Sequence, residues 1–130
     1  MAGVYVDTSA LGRVLLAEPD GVSVLRVLEE YDEHVASRLL GVELRRLALR
    51  FGVTDQADEL LAGVALVPLD EALLEDAESV EPFTVATLDA LHLATAIRLA
   101  VAGFIEAVMT YDARLAEGAR HHGLAVVSPT

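Results

Sequence analysis

The chain has 130 residues, 54% of them apolar, and a formal net charge of −12 in which all nine basic residues are arginine. That length fits one domain around one core, and the acidic balance excludes a broad basic surface, so any nucleic-acid role needs a local patch or metal ions. The absence of lysine excludes Walker-type P-loops, Schiff-base chemistry and lysine-assisted aspartyl-phosphate machinery; the absence of cysteine excludes disulfides, thiolate zinc sites and cysteine nucleophiles. In chain order, β-branched runs predict strands at 4–6, 34–36, 64–69, 107–111 and 124–128. Between them, apolar residues recur with helical period over 9–17, 21–31, 39–51, 54–62, 70–79, 86–101 and 112–121. Ser9 or Thr8, Asp20, Thr54 and Asp70 stand where helices open, and Gly52, Gly63 and Gly123 where they stop. The stretch ESVEPFTVAT, 78–87, is the least regular and is expected to be mobile.

Strict alternation of strand and helix specifies an α/β fold, because parallel strands need helical crossovers. One domain is expected over 1–130. No apolar run approaches the roughly 20 residues of a membrane span, and MAGVYVD lacks the basic start of a signal peptide. A soluble, cytoplasmic protein is the expectation.

Four acids stand out. Asp7 follows the first strand in VYVDTSAL and Asp112 the fourth in AVMTYDARLA, and functional groups gather at the carboxyl ends of strands in parallel sheets. The plain alternative is that each only caps the next helix. Glu43 shares the apolar stripe of its helix with Leu39, Leu40 and Leu47, where a lone buried carboxylate is costly; Arg46 is the ion-pair partner a purely structural role would use. Asp89 repeats the anomaly in DALHLATA, on one stripe with Val85, His92 and Ala96, and its structural alternative is a helix-start acid favoured by the macrodipole. If these acids converge, each pair about 4 Å apart repels by roughly 4 kcal/mol at an effective dielectric near 20. A cation must offset that, and oxygen ligands without thiols match Mg²⁺ or Mn²⁺ rather than zinc. Such ions clamp phosphate oxygens and acidify bound water, which suits phosphodiester hydrolysis. Asp7, Asp89 and Asp112 are then direct or water-mediated ligands, and Glu43 ligates or orients the water.

The motifs DTSAL, SRLLGVELRR, LDALHLATA and TYDARLAEGA, in that order across the whole chain, resemble the PIN-domain family and within it the VapC-type toxins of bacterial toxin–antitoxin pairs. The resemblance implies a three-layer αβα sandwich with a parallel sheet ordered 3-2-1-4-5. It implies that Asp7, Glu43, Asp89 and Asp112 form an acidic quartet holding Mg²⁺ or Mn²⁺ for endoribonuclease cleavage, supported by hydroxyls of Thr8 or Ser9 and of Thr110. Ser37 is similar to a small hydroxyl residue at the second strand's end, with helix capping as its alternative. The family resemblance further implies a homodimer, a VapB-type antitoxin covering the groove, and an RNA substrate, transfer or ribosomal. Where a basic residue is expected three positions before Asp89, this chain has Ala86.

Other features are weaker. His92 is read as a core-edge histidine bonded beside the site rather than as a ligand. His121 and His122 suit a helix C-terminus. Arg13, Arg38, Arg45, Arg46 and Arg50 either flank an RNA path or balance acids on solvated faces. Six aromatics are too few for a base-stacking platform. The helices at 21–31 and 54–62 are candidates for an antitoxin groove, a dimer face or plain core. Competing readings are a catalytically silent PIN module that binds a protein partner, and a PIN-like nuclease acting on DNA or in RNA maturation outside a toxin system. An acidic phosphotransfer receiver is more distant, since lysine is absent.

Overall fold

The computed structural model describes residues 3–130. Its elements are β1 (Gly3–Val6), α1 (Thr8–Leu15), α2 (Gly21–Leu28), β2 (His34–Ser37), α3 (Leu39–Phe51), α4 (Thr54–Ala62), β3 (Ala65–Val67), α5 (Glu71–Ser79), α6 (Thr87–Val101), β4 (Ile105–Met109), α7 (Ala113–His121) and β5 (Ala125–Val127). The five strands form one sheet in the order β3-β2-β1-β4-β5, with every pairing parallel. This is the architecture and strand order expected from the sequence. Helices α1 to α4 pack among themselves and α5 to α7 among themselves, while α6 touches both β2 and β4 and so lies beneath the central strand.

All described residues of β1 are buried. A strand enclosed on both faces cannot alternate polar and apolar positions, which is why VYV reads as a continuous apolar run. Its one polar atom, the Tyr5 hydroxyl, points toward α6. The order reverses between β1 and β4, and there the chain leaves both strands, at Asp7 and at Thr110.

Several sequence-level boundaries shift for identifiable reasons. Asp7, not Ser9 or Thr8, caps α1, because its extended backbone lets the carboxylate accept from Ser9 N–H; Thr8 is the first helical residue. Asp20 precedes α2 but makes no cap bond, since Arg13 claims its carboxylate at 3.0 Å. Thr54 begins α4 after Val53, whereas Asp70 caps α5 as expected by accepting from Leu73 N–H. Gly52 ends α3 at φ 68°, a left-handed conformation that a residue with a Cβ adopts at a cost. Strand β4 stops at Met109 because the side chain of Thr110 turns to Asp7. The segment 78–87 divides between the end of α5, a turn with a cis Glu81–Pro82 bond, and the start of α6. Among the described residues no helix is long and apolar enough to cross a membrane.

Candidate metal centre

Asp7 is 5% exposed at the carboxyl end of β1. Its Oδ2 accepts from the Ser9 hydroxyl at 2.7 Å, the Thr110 hydroxyl at 2.9 Å and, more weakly, Ser9 N–H at 3.4 Å. Each hydroxyl has one proton and spends it on Asp7. Their oxygens then accept backbone N–H groups, Ser9 from Tyr111 at 2.8 Å and Thr110 from Asp112 at 3.0 Å. The start of α1 and the loop after β4 are thereby fastened to a single carboxylate oxygen. The other oxygen, Oδ1, faces Nε2 of His92 at 3.7 Å.

Glu43 reaches the same place from α3. Its Oε1 accepts from the Thr8 hydroxyl at 2.7 Å and from His92 Nε2 at 2.7 Å. The ion pair with Arg46 that a structural role would use is not formed: Glu43 faces inward to His92 and Thr8, away from the solvent side of its helix. Burial by itself would raise the Glu43 pKa, but the bonds from His92 and Thr8 outweigh it and hold the carboxyl below its usual value.

His92 is 1% exposed, and both ring nitrogens are engaged, Nδ1 with the Tyr5 hydroxyl at 2.6 Å and Nε2 with Glu43. Burial favours the neutral ring, yet the Glu43 bond and the charges of Asp7, Glu43 and Asp89 prevail and raise its pKa. Beside an ionised Glu43, Nε2 must carry a proton whether the ring is neutral or charged. Its lone pair is therefore committed, and His92 acts on Glu43 as a holder. Tyr5 completes the chain: its hydroxyl accepts from Ser37 N–H at 3.1 Å, and burial, foremost, raises its pKa so that it stays protonated. Ser37 thus serves the site through its backbone, while its hydroxyl accepts from Leu39 N–H at the start of α3.

Asp112 caps α7, its Oδ1 accepting from Arg114 N–H and Leu115 N–H at 2.9 and 3.1 Å. Capping and a place beside the site are therefore compatible. Asp89 lies in the first turn of α6, where the macrodipole should lower its pKa. The shift goes the other way. Burial, then the negative charges of Asp112 and Asp7, push it up to about 6 against an ordinary 3.8. Among the described residues no arginine pairs with Asp7, Glu43, Asp89 or Asp112.

Ligand atoms of Asp7, Glu43 and His92 lie within 4.8 Å of one another, and with a proton on His92 Nε2 it is the two carboxylates that are free to hold a metal ion. The four acids expected from the sequence are divided in geometry: Asp7 and Glu43 share this cluster, while Asp89 and Asp112 couple to it through their charges. The donor set fits a hard divalent cation: carboxylate oxygens predominate, each acid but Asp89 is fixed by bonds to at least one oxygen, and the negative charge has no arginine to offset it. Sequence reasoning passed over Tyr5. Its partner His92 is 87 residues away, so only its polar atom inside an apolar strand signalled a hidden contact.

A family model described as PIN domain matches residues 4–121. The chain belongs to the PIN-domain family. Two relatives from Mycobacterium tuberculosis agree over nearly the full length: Ribonuclease VapC47 is 38% identical, covering 97% of this chain and 96% of its own, and Ribonuclease VapC46 is 35% identical over all of both chains. A solved toxin–antitoxin complex from Klebsiella pneumoniae contains a chain of similar fold, with a TM-score of 0.75 and 18% identity over 98% of each chain.

The raised pKa of Asp89 has a testable consequence for the cation-free protein. A carboxyl at about 6 when folded and 3.8 when unfolded costs nothing below pH 3.8, and its penalty grows until the pH passes 6. In EDTA, Asp89→Asn is expected to raise Tm at pH 8 and to leave it unchanged at pH 3.5, as read by thermal denaturation. A Tm at pH 8 equal to or below that of the unmodified chain would show that burial and the neighbouring charges do not penalise ionised Asp89 there.

Proposed function

We propose that this chain is a Mg²⁺- or Mn²⁺-dependent endoribonuclease, the toxin of a type II toxin–antitoxin pair. The observation that carries the reading is the set of acids at the β1/β4 reversal whose mutual repulsion no arginine relieves. Many acids of this chain lack an arginine, but at the surface water screens them; these stand buried or half-buried, where an acid kept for structure alone would need a partner. This disfavours the silent-module reading, and the VapC ribonuclease names of the relatives point the same way.

A bound divalent ion would supply Lewis acidity to phosphate oxygens and a more acidic water. Asp7 would hold it from the centre of the sheet, its Oδ2 locked by Ser9 and Thr110 so that Oδ1 is aimed. Glu43, fixed by Thr8 and His92, is placed to hold the ion or to orient the attacking water through a carboxylate oxygen. Asp112 projects from the α7 cap and Asp89 from α6. Hydrolysis adds water to phosphorus and breaks one P–O bond, leaving one new end as phosphate and the other as hydroxyl.

For the antitoxin, a groove of about 260 Å³ opens between α2 and α4, lined by Leu25, Leu28, Leu60 and Val64 with Glu29 and Glu59 at its edge. Its apolar floor suits an amphipathic helix. A homodimer and a cytoplasmic location belong to the same reading.

Purified protein is expected to cut total cellular RNA into a few discrete fragments with Mg²⁺ or Mn²⁺, to do nothing in EDTA, and to lose at least about a hundredfold in rate as Asp7→Asn, in line with loss of a group acting on transition-state charge. Folded, cation-binding protein that leaves all RNA intact would refute the nuclease reading. Leu25→Glu, at a residue 43% exposed, is expected to abolish co-purification with a co-expressed antitoxin while cleavage by the free chain continues. Undiminished co-purification would move the antitoxin elsewhere.

A further inference from the structure

Of nine arginines, Arg26, Arg38, Arg46, Arg50, Arg114 and Arg120 make no ion pair among the described residues, so what distinguishes an arginine here is its place relative to the acidic site. Arg13 pairs with Glu18 and Asp20, Arg45 with Asp58, and Arg98 with Asp70 and Asp76. Arg46 and Arg50 make no ion pair among the described residues, although Arg46 stands one turn from Glu43. Both are exposed, and both line an open cleft of about 470 Å³ whose other walls include Thr8, Glu43, Val42 and Leu88. The cleft therefore shares two walls with the acidic site. With a rise of 1.5 Å per residue, Arg46 and Arg50 stand about 4.5 and 10 Å beyond Glu43 along α3, on one face. Val42 and Leu88, 50% and 52% exposed, add apolar surface to the same cleft.

We propose that the Arg46–Arg50 face of α3 binds phosphates of the RNA strand that flank the scissile one, with Val42 and Leu88 packing against the ribose or base between them. This rests on the nuclease reading and extends it to the path of the substrate. A strand seated at Asp7 and Glu43 must leave the acids by some route, and this cleft, which shares Thr8 and Glu43 with the site, is a route lined by two guanidinium groups free of acids. Guanidinium forks bind phosphate oxygens bidentately. In a protein of net charge −12, two free cations at the mouth of the acidic site supply the local patch that its overall charge denies. They are positioning residues: they touch the substrate's flanks and not the reacting phosphorus.

The test compares Arg46→Gln/Arg50→Gln with Arg26→Gln/Arg120→Gln, a control that removes the same charge from exposed arginines outside the cleft. Binding of a short, mixed-sequence, fluorescein-labelled single-stranded RNA is followed by anisotropy across a salt series, on an Asp112→Asn background that suppresses cleavage. Cleavage kinetics are measured without that background substitution, on the cellular RNA species that the unmodified chain cuts. Each lost phosphate contact lowers the slope of log K against log salt by about 0.7 for a single strand, so the cleft pair should lose about 1.4 and the control none. KM should rise about tenfold with kcat within about twofold, and Mn²⁺ affinity should be unchanged.

Equal slopes and equal KM in the two double variants would overturn the assignment. So would a cleft pair that keeps its RNA affinity but no longer binds the antitoxin, which would make the cleft a protein-docking surface. If the unmodified chain binds this RNA with the expected slope and leaves total cellular RNA intact, the nuclease reading falls while the cleft survives as an RNA site; if it cuts cellular RNA and the slopes agree, the reverse holds.

Discussion

The structure turns on one buried carboxylate oxygen. Asp7 Oδ2 takes the only protons of Ser9 and Thr110, and those hydroxyls in turn hold the backbone of Tyr111 and Asp112. Charge-assisted bonds of this kind are stronger than neutral ones, and a buried polar network is stable only when every member is satisfied. Here it is, since the described residues contain no buried side-chain polar atom without a partner. Satisfying Oδ2 leaves Oδ1 directed at the second network, Glu43, His92 and Tyr5. The two networks fix the acids from opposite sides, one through the β4 loop and one through α3 and α6. The loop is secured further by the Ser128 hydroxyl donating to Thr110 O at 2.6 Å, by the Tyr111 hydroxyl donating to Pro129 O, and by Arg13 lying 3.7 Å over the Tyr111 ring.

Charge is distributed with the same economy. Five acids, Glu18, Asp20, Asp58, Asp70 and Asp76, pair with arginines at the surface, whereas none of the acids at the sheet's reversal does. Exposed pairs such as Arg45–Asp58 contribute little to stability. Burial of Asp89, with repulsion from Asp112 and Asp7 added, is the larger effect, and it opposes a macrodipole worth roughly 0.3 to 1 kcal/mol. His92 donates from Nε2 to Glu43, and the acids around it raise its pKa against the effect of burial.

Much of the fold was legible in the sequence because its elements are locally consistent. Buried parallel strands read as short apolar runs, helices as 3.6-residue periodicity, and the sheet order followed from the motif resemblance. Errors fell at element ends, where tertiary bonds decide. Asp7 displaced Ser9 as the α1 cap because a carboxylate in extended backbone can cap a helix and anchor a site at once. Asp20 lost its capping role to Arg13, a competition between side chains that no spacing rule encodes. In the site, all four acids were conspicuous as charges on apolar stripes or at strand ends. Their grouping was not, because the division into a tight Asp7–Glu43 pair and a coupled Asp89–Asp112 pair depends on where α3 and α6 cross the sheet. Tyr5 was hidden among valines, and the inward turn of Glu43 away from Arg46 reversed the most economical sequence reading of that residue.

The central claim is that these acids exist to hold a divalent cation. Its most direct measurement is the anomalous scattering of Mn²⁺ in crystals of the protein grown near neutral pH. The account predicts a peak within ligand distance of Asp7 and Glu43 carboxylate oxygens, with Asp89 or Asp112 drawn toward it directly or through water, and with His92 Nε2 still on Glu43. A fully soaked crystal without a peak there, or with Mn²⁺ bound only at surface acids such as Glu18 or Asp76, would contradict it.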